Sequence, residues 1–126
     1  MELRQQCHFR QSEDGLLAWD VNKLIELTKD SKIEQVPLKE IGELNETYWF
    51  GLGEPPIAID IAKHAKLIYE ADLFYPIILC PEGRIMDGMH RVCKAYLEGF
   101  EYISAVKLSV LHAPDYVGLQ PDELPY

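Results

Sequence analysis

Within five consecutive positions, Asp87, Gly88, Met89, His90 and Arg91, the chain sets a carboxylate, a glycine, an imidazole and a guanidinium. An Asp-Gly pair makes a sharp turn, and His90-Arg91 falls where a following helix would begin. The first turn of a helix presents N–H groups without intrahelical partners, together with the positive end of the helix dipole. Donor side chains added there make an anion site, above all for phosphate. Cations at that end oppose the dipole by ~0.3–1 kcal/mol. A bound anion would justify them, and so would a nearby carboxylate paired with Arg91. Asp87 also has two readings. The favoured one is a turn residue capping the next helix; the other is a magnesium ligand or catalytic base beside phosphates.

Other groups are weaker candidates. Tyr48, Trp49 and Phe50, followed by Gly51 and Gly53, could stack on a nucleobase or close as a lid, although such clusters more often plug the edge of a core. Asp60 and His64 are four apart on one helix and read as an exposed ion pair rather than half a metal site. Glu40 and Glu43 read as solvated carboxylates. Cys80 and Cys93 lie in apolar contexts and read as small hydrophobes, and Cys7 as incidental. No spacing has the form of a metal cluster, so no structural metal is expected.

The elements that must position these residues follow from pattern. Gln11 to Gly15 reads as a turn. Trp19 to Lys29 has helical spacing with Asp20 as N-cap. Ile33 to Leu38 reads as a short strand, its proline marking an edge or an end, and Lys39 to Leu44 as one helical turn. Pro55 and Pro56 pre-set a helix from Ile57 to Ala71, with Ile57, Ile61, Ala65 and Ile68 as its inner face. Tyr75 to Leu79 is expected as a buried strand, Pro81 to Gly83 as a tight turn and Arg84 to Met86 as the returning strand. Met89 to Glu98 then forms a helix closed by Gly99, and Tyr102 to Val110 a last strand. From Ala113, with prolines at 114, 121 and 125, an extended tail packed on the body is expected. Interleaved strands and helices indicate a small α/β or α+β domain, and the expectation is α+β, a small mixed sheet with packed helices.

Composition bounds the rest. At 126 residues, one domain spanning 1–126 with a single core is expected. A net charge of −9 argues against nucleic acid as a partner, because phosphate backbones require clustered Lys and Arg. No apolar run reaches the ~20 residues that span a bilayer, and Met1 to His8 lacks the apolar core of a secretory signal. Three cysteines without a C-x-x-C pair indicate neither a disulfide framework nor zinc. The expectation is a cytoplasmic protein of bacterial type with no membrane partner.

Tyr75-Pro76-Ile77-Ile78-Leu79, Gly83 through Arg91, Ala95 to Gly99 and Ile103 to Val106 resemble the ParB/sulfiredoxin-like superfamily. Val36-Pro37-Leu38-Lys39-Glu40-Ile41 looks like the opening of ParB N-terminal domains. The likeness spans roughly residues 33–110 and is densest over 75–108. It implies a nucleotide-phosphate site at the turn, as for CTP in ParB and for ATP in sulfiredoxin and related free-serine kinases. Gly88 would permit the turn, His90 and Arg91 would contact phosphate oxygens, and the N–H groups of Met89 to Arg91 would complete the cradle, with ATP or CTP and Mg²⁺ as the implied ligands. Two departures matter. Met89 stands where sulfiredoxins carry their catalytic Cys, which argues against sulfinic acid reduction. Met89 and His90 replace an acidic residue and an arginine of ParB, which leaves hydrolysis open. ParB's helix-turn-helix and dimerisation regions are not expected in this chain. The expectation is therefore a domain binding a nucleotide or another phosphorylated small molecule. Phosphotransfer or nucleotide hydrolysis through Asp87 is left open. The alternative is a non-catalytic sensor or protein-interaction module, and a partition or nuclease role ranks below both.

Overall fold

The computed structural model describes residues 6–50 and 55–123. Two short sheets and three helices make up this part of the chain, a mixed α+β arrangement. The chain opens with a hairpin, β1 (Cys7–Ser12) and β2 (Gly15–Asp20), paired in register from Cys7↔Asp20 to Ser12↔Gly15. The expected turn is its tip, but the strands on either side were not legible as strands. Trp19 therefore lies in β2, and helix α1 (Val21–Thr28) starts only after Asp20, whose carboxylate accepts from the Asn22 N–H at 2.9 Å as expected of an N-cap.

The second sheet has the order β3–β6–β4–β5, built from β3 (Glu34–Pro37), β4 (Ile77–Leu79), β5 (Ile85–Asp87) and β6 (Tyr102–Lys107). Pro37 ends an edge strand, where its missing N–H costs no ladder bond. β4 turns through Gly83 (φ +83°) into antiparallel β5, and α3 (Met89–Leu97) carries the chain over to β6, which runs parallel to β4. Gly99 closes α3 as expected: its N–H donates to Tyr96 and that of Phe100 to Ala95, the paired bonds of a Schellman motif. Between β3 and helix α2 (Ala58–Glu70), two 3₁₀ turns, Leu38–Glu40 and Gly42–Asn45, replace the single helical turn read from sequence.

Strand alternation divides the interior in two. Ile77, Leu79, Ile85, Ile103 and Ala105 face α3 and the first 3₁₀ turn, meeting Val92, Ala95, Leu38 and Ile41. Ile78, Met86 and Val106 face the other way, onto Trp19 and Leu24 of the hairpin and α1. A helix covers one side of the sheet and the hairpin with α1 covers the other. The tail packs on the hairpin, where β7 (Tyr116–Val117) pairs with β2, Trp19 Nε1 donates to the His112 carbonyl and Asp115 accepts from the Asp20 N–H. Of the tail prolines, Pro125 lies outside the described residues.

The face expected to bury α2 is not the face it turns inward. Ile57 and Ile61 are exposed, and the half-buried positions are Asp60, His64, Leu67 and Ile68. Lys94 of α3 fixes this orientation by donating to the carbonyls of Tyr69 (2.9 Å) and Ala71 (2.6 Å), a cation at the negative end of α2. Among the described residues, no helix is long and apolar enough to cross a membrane.

Candidate functional site

β5 ends at Asp87, and the chain reverses through Gly88 at φ +114°, ψ +22° before α3 begins. Two constraints select glycine here. The backbone is left-handed, and a Cβ would lie 2.5 Å from Cγ2 of Ile77 and 3.0 Å from Nη2 of Arg91. Gly88 is the N-cap of α3 and no side chain caps the helix; the first helical bond runs from the Val92 N–H to the Gly88 carbonyl. The expectation that Asp87 caps α3 is thus corrected. Its Oδ2 instead accepts from Nη2 of Arg91 at 2.7 Å, one turn along, in a pair whose side chains are only 13% and 15% exposed.

Arg91 is bound further. Its Nη1 donates to the carbonyls of Tyr75 (2.9 Å) and Pro76 (2.7 Å), so the guanidinium ties the lead-in to β4 beneath the turn. The cation expected to meet phosphate is held inside the fold, and the carboxylate considered for catalysis is its partner. Of the two sequence readings of Arg91, the geometry gives the carboxylate-paired one.

The turn forms a wall shared by two open clefts. One, of about 610 Å³, runs between α1 and the end of α2, lined by Ile25, Leu67, Tyr75 and Val106 with Lys29 and Glu70. The other, of about 400 Å³, lies between β1 and the aromatic loop, lined by Cys7, His8 and Phe9 on one side and Tyr48 and Trp49 on the other. Asp87, Gly88, Met89 and His90 line both.

His90 does not stand alone in this wall. Its Nε2 lies 2.9 Å from Nδ1 of His64, and Trp49 stacks on both imidazoles, with centroids 4.1 Å from His64 and 4.6 Å from His90. Tyr48 meets Trp49 edge-on and Phe50 meets His64 edge-on. The aromatic trio is therefore packed against histidines, while Gly51 and Gly53 of the expected lid lie outside the described residues. His64 is the site residue that sequence reasoning missed. The only signal for it was its spacing from Asp60, which could make a proton-transfer pair or half a metal site but reads as a surface ion pair because no third ligand stands at helical spacing. Burial lowers the His64 imidazole below the usual histidine range, partly offset by Asp60.

The surroundings are also set by charge and burial. On β1, His8 Nε2 accepts from Nε of Arg10 at 3.0 Å; burial and that cation push its titration down to about 4, so the ring is neutral near pH 7. Burial, with Glu43 and Asp87 nearby, pushes the Tyr48 phenol up to about 12. Glu43 is the second residue the sequence misassigned. It is 2% exposed rather than solvated, and its Oε2 accepts from the Ile85 N–H, tying the second 3₁₀ turn to β5. Arg84 grips Glu46 through two 2.7 Å bonds beside it. Burial raises the Cys7 and Cys93 thiols, away from the thiolate a nucleophile needs, and Cys80 is buried with its Sγ donating to Glu82 Oε2 at 3.2 Å. Among the described residues, no three His, Cys, Asp or Glu side chains converge as a metal site.

No protein-family model, no curated protein and no solved structure matches this chain.

Proposed function

We propose that the chain is a phosphate-ligand-binding domain of the ParB/sulfiredoxin type, taking a nucleotide or another phosphorylated small molecule at the first turn of α3. One observation carries this reading: α3 starts without a side-chain cap after a left-handed glycine, and its first turn forms the wall that both clefts share. The positive end of a helix opening onto space for a ligand is a ready anion site. The order β4, β5, α3, β6, with β4 and β6 parallel, agrees with the strand, turn, helix and strand pattern that the resemblance implies.

The geometry favours binding over turnover. Asp87 is the carboxylate of the turn, and its bond to Arg91 leaves it poorly placed to act as a base or to hold Mg²⁺. A magnesium ion arriving with ATP or CTP would be held by phosphate oxygens and water. Gly88 and the backbone of Met89 to Arg91 form the cradle, His90 is the side chain beside it, and Arg91 is the positioning residue that fixes the turn. The apolar walls of the larger cleft suit the body of such a ligand.

Calorimetric titration of the whole chain with ATP, CTP, GTP and inorganic phosphate, with and without Mg²⁺, tests this. One of the four should bind at a single site, and His90→Ala should weaken it about tenfold, the loss of one charge-assisted contact. A folded wild-type protein that binds none of them would remove the reading.

A further inference from the structure

Among the described residues, Arg10 is positioned by neutral groups and neutralised by none. Its Nε donates to His8 Nε2 at 3.0 Å and its Nη2 to the Met86 thioether at 3.0 Å, and the guanidinium lies 5.8 Å from the centre of the Trp19 ring. The chain holds 21 Asp and Glu side chains, so a half-buried cation has many partners to choose from. Arg84 takes Glu46 and Arg91 takes Asp87. Arg10 instead takes an imidazole that is neutral near pH 7 and a sulfur, which is a weak acceptor. A guanidinium carries five N–H donors in a planar fork, and these two bonds leave three of them for a further acceptor. Such a fork matches the two oxygens of a carboxylate.

The bonds of Arg10 lead to a cleft. His8 and Met86 both line the smaller one, together with the aromatic rings of Phe9, Tyr48 and Trp49. Arg10 is also among the charges that act on the Tyr48 phenol on the opposite side. Of the carboxylates that act on the same phenol, Asp87 is paired with Arg91 and Glu43 is buried on the Ile85 N–H, so neither takes Arg10. At about 400 Å³, the space is of the size that receives a small organic molecule.

We propose that the smaller cleft binds a small aromatic carboxylate, its acid group gripped by the Arg10 guanidinium and its ring lying among Phe9, Tyr48 and Trp49. The walls set the class of ligand: aromatic side chains receive a flat apolar ring, while one polar group fixes its orientation. The carboxylate gives Arg10 the charge-assisted bonds that a thioether cannot. The bond to His8 and the packing on Trp19 hold the guanidinium in place beforehand, which reduces the side-chain ordering that binding would cost. The site is separate from the phosphate reading, because it draws on neither the α3 amides nor His90.

The test is a titration of the full chain at pH 7 with benzoate and naphthoate, aromatic acids of two sizes, followed by NMR at the Arg10 Nε–H and the Met86 methyl. At least one acid should give saturable shifts at both, since a ring beside Met86 moves its methyl signal. Acetate, which offers the carboxylate without the ring, should bind at least about tenfold more weakly. Arg10→Gln should weaken the aromatic acid about tenfold or more, and Arg10→Lys, a point charge in place of a fork, by less. The wild-type shifts decide the matter should Arg10→Gln fail to fold. No saturable shift at Arg10 with either acid at millimolar concentration would overturn the proposal. So would acetate binding as tightly as the aromatic acids, or binding unchanged in a folded Arg10→Gln. Inorganic phosphate keeps the two readings apart. Phosphate shifts at the amides of Gly88 to Arg91 without aromatic-acid binding would remove this site and leave the phosphate reading standing. Aromatic-acid binding at Arg10 without phosphate shifts would do the reverse.

Discussion

Arg91 makes three hydrogen bonds within the fold, to two backbone carbonyls and to Asp87, and these decide what it can do. Removing it would strand a largely buried carboxylate and two acceptors. Arg91→Ala should therefore destabilise the protein by about 2–3 kcal/mol, read as a lower urea midpoint. A loss below ~0.5 kcal/mol, the level of an exposed pair, would show that the bond is not formed in solution. Arg91→Lys should restore only part, since a point charge cannot serve three spread acceptors as a planar fork does. Gly88 is constrained for a different reason. Gly88→Ala combines left-handed strain with overlap against Ile77, and should cost about 2–4 kcal/mol by the same measurement. The sequence made the glycine and the turn legible, because Asp-Gly carries its own backbone chemistry. It did not reveal where the guanidinium goes, since that depends on carbonyls fifteen and sixteen residues upstream.

At the scale of elements, the strands and helix around the turn were readable from apolar runs, the turn glycines and the Gly99 cap. Two elements were not. The β1–β2 hairpin is too polar on its outward side to stand out, and α2 carries apolar residues on more than one face, so periodicity chose the wrong one. The buried Glu43 was missed for a related reason: a 3₁₀ turn has no stripe from which burial can be read. Glu43→Ala leaves the Ile85 N–H without its acceptor and should cost about 1–3 kcal/mol in denaturant unfolding, whereas Glu43→Gln, which keeps an acceptor, should cost less than half as much. The hairpin also gives a pH dependence. His8 titrates near 4 when folded and near its ordinary 6.5 when unfolded, so the unfolded chain binds the proton first as pH falls. Its contribution is complete above ~6.5 and is lost towards pH 4, amounting to roughly 3 kcal/mol. His64, also lowered, acts in the same direction. Urea midpoints at pH 7, 5.5 and 4.5 should fall less steeply in His8→Gln than in the wild type, and equal slopes would refute this account of the hairpin.

Across the whole molecule, a four-stranded sheet between two apolar clusters holds the Asp87 to Arg91 turn at the end of β5, where α3, the hairpin and the aromatic loop converge. That convergence could not be read in advance, because it joins residues from near position 6 to position 106. The net charge of −9 was legible directly and carries its own expectation: duplex DNA should not bind measurably at 0.1 M salt, and binding there would reopen the partition-type role. The central claim is that the uncapped start of α3 receives a phosphate group. Backbone amide NMR during titration with inorganic phosphate, then ATP and CTP, tests it most directly. The account predicts the largest saturable shifts at the amides of Gly88 to Arg91, with smaller ones along the two clefts. Saturable shifts confined elsewhere, or none at millimolar ligand, would contradict it.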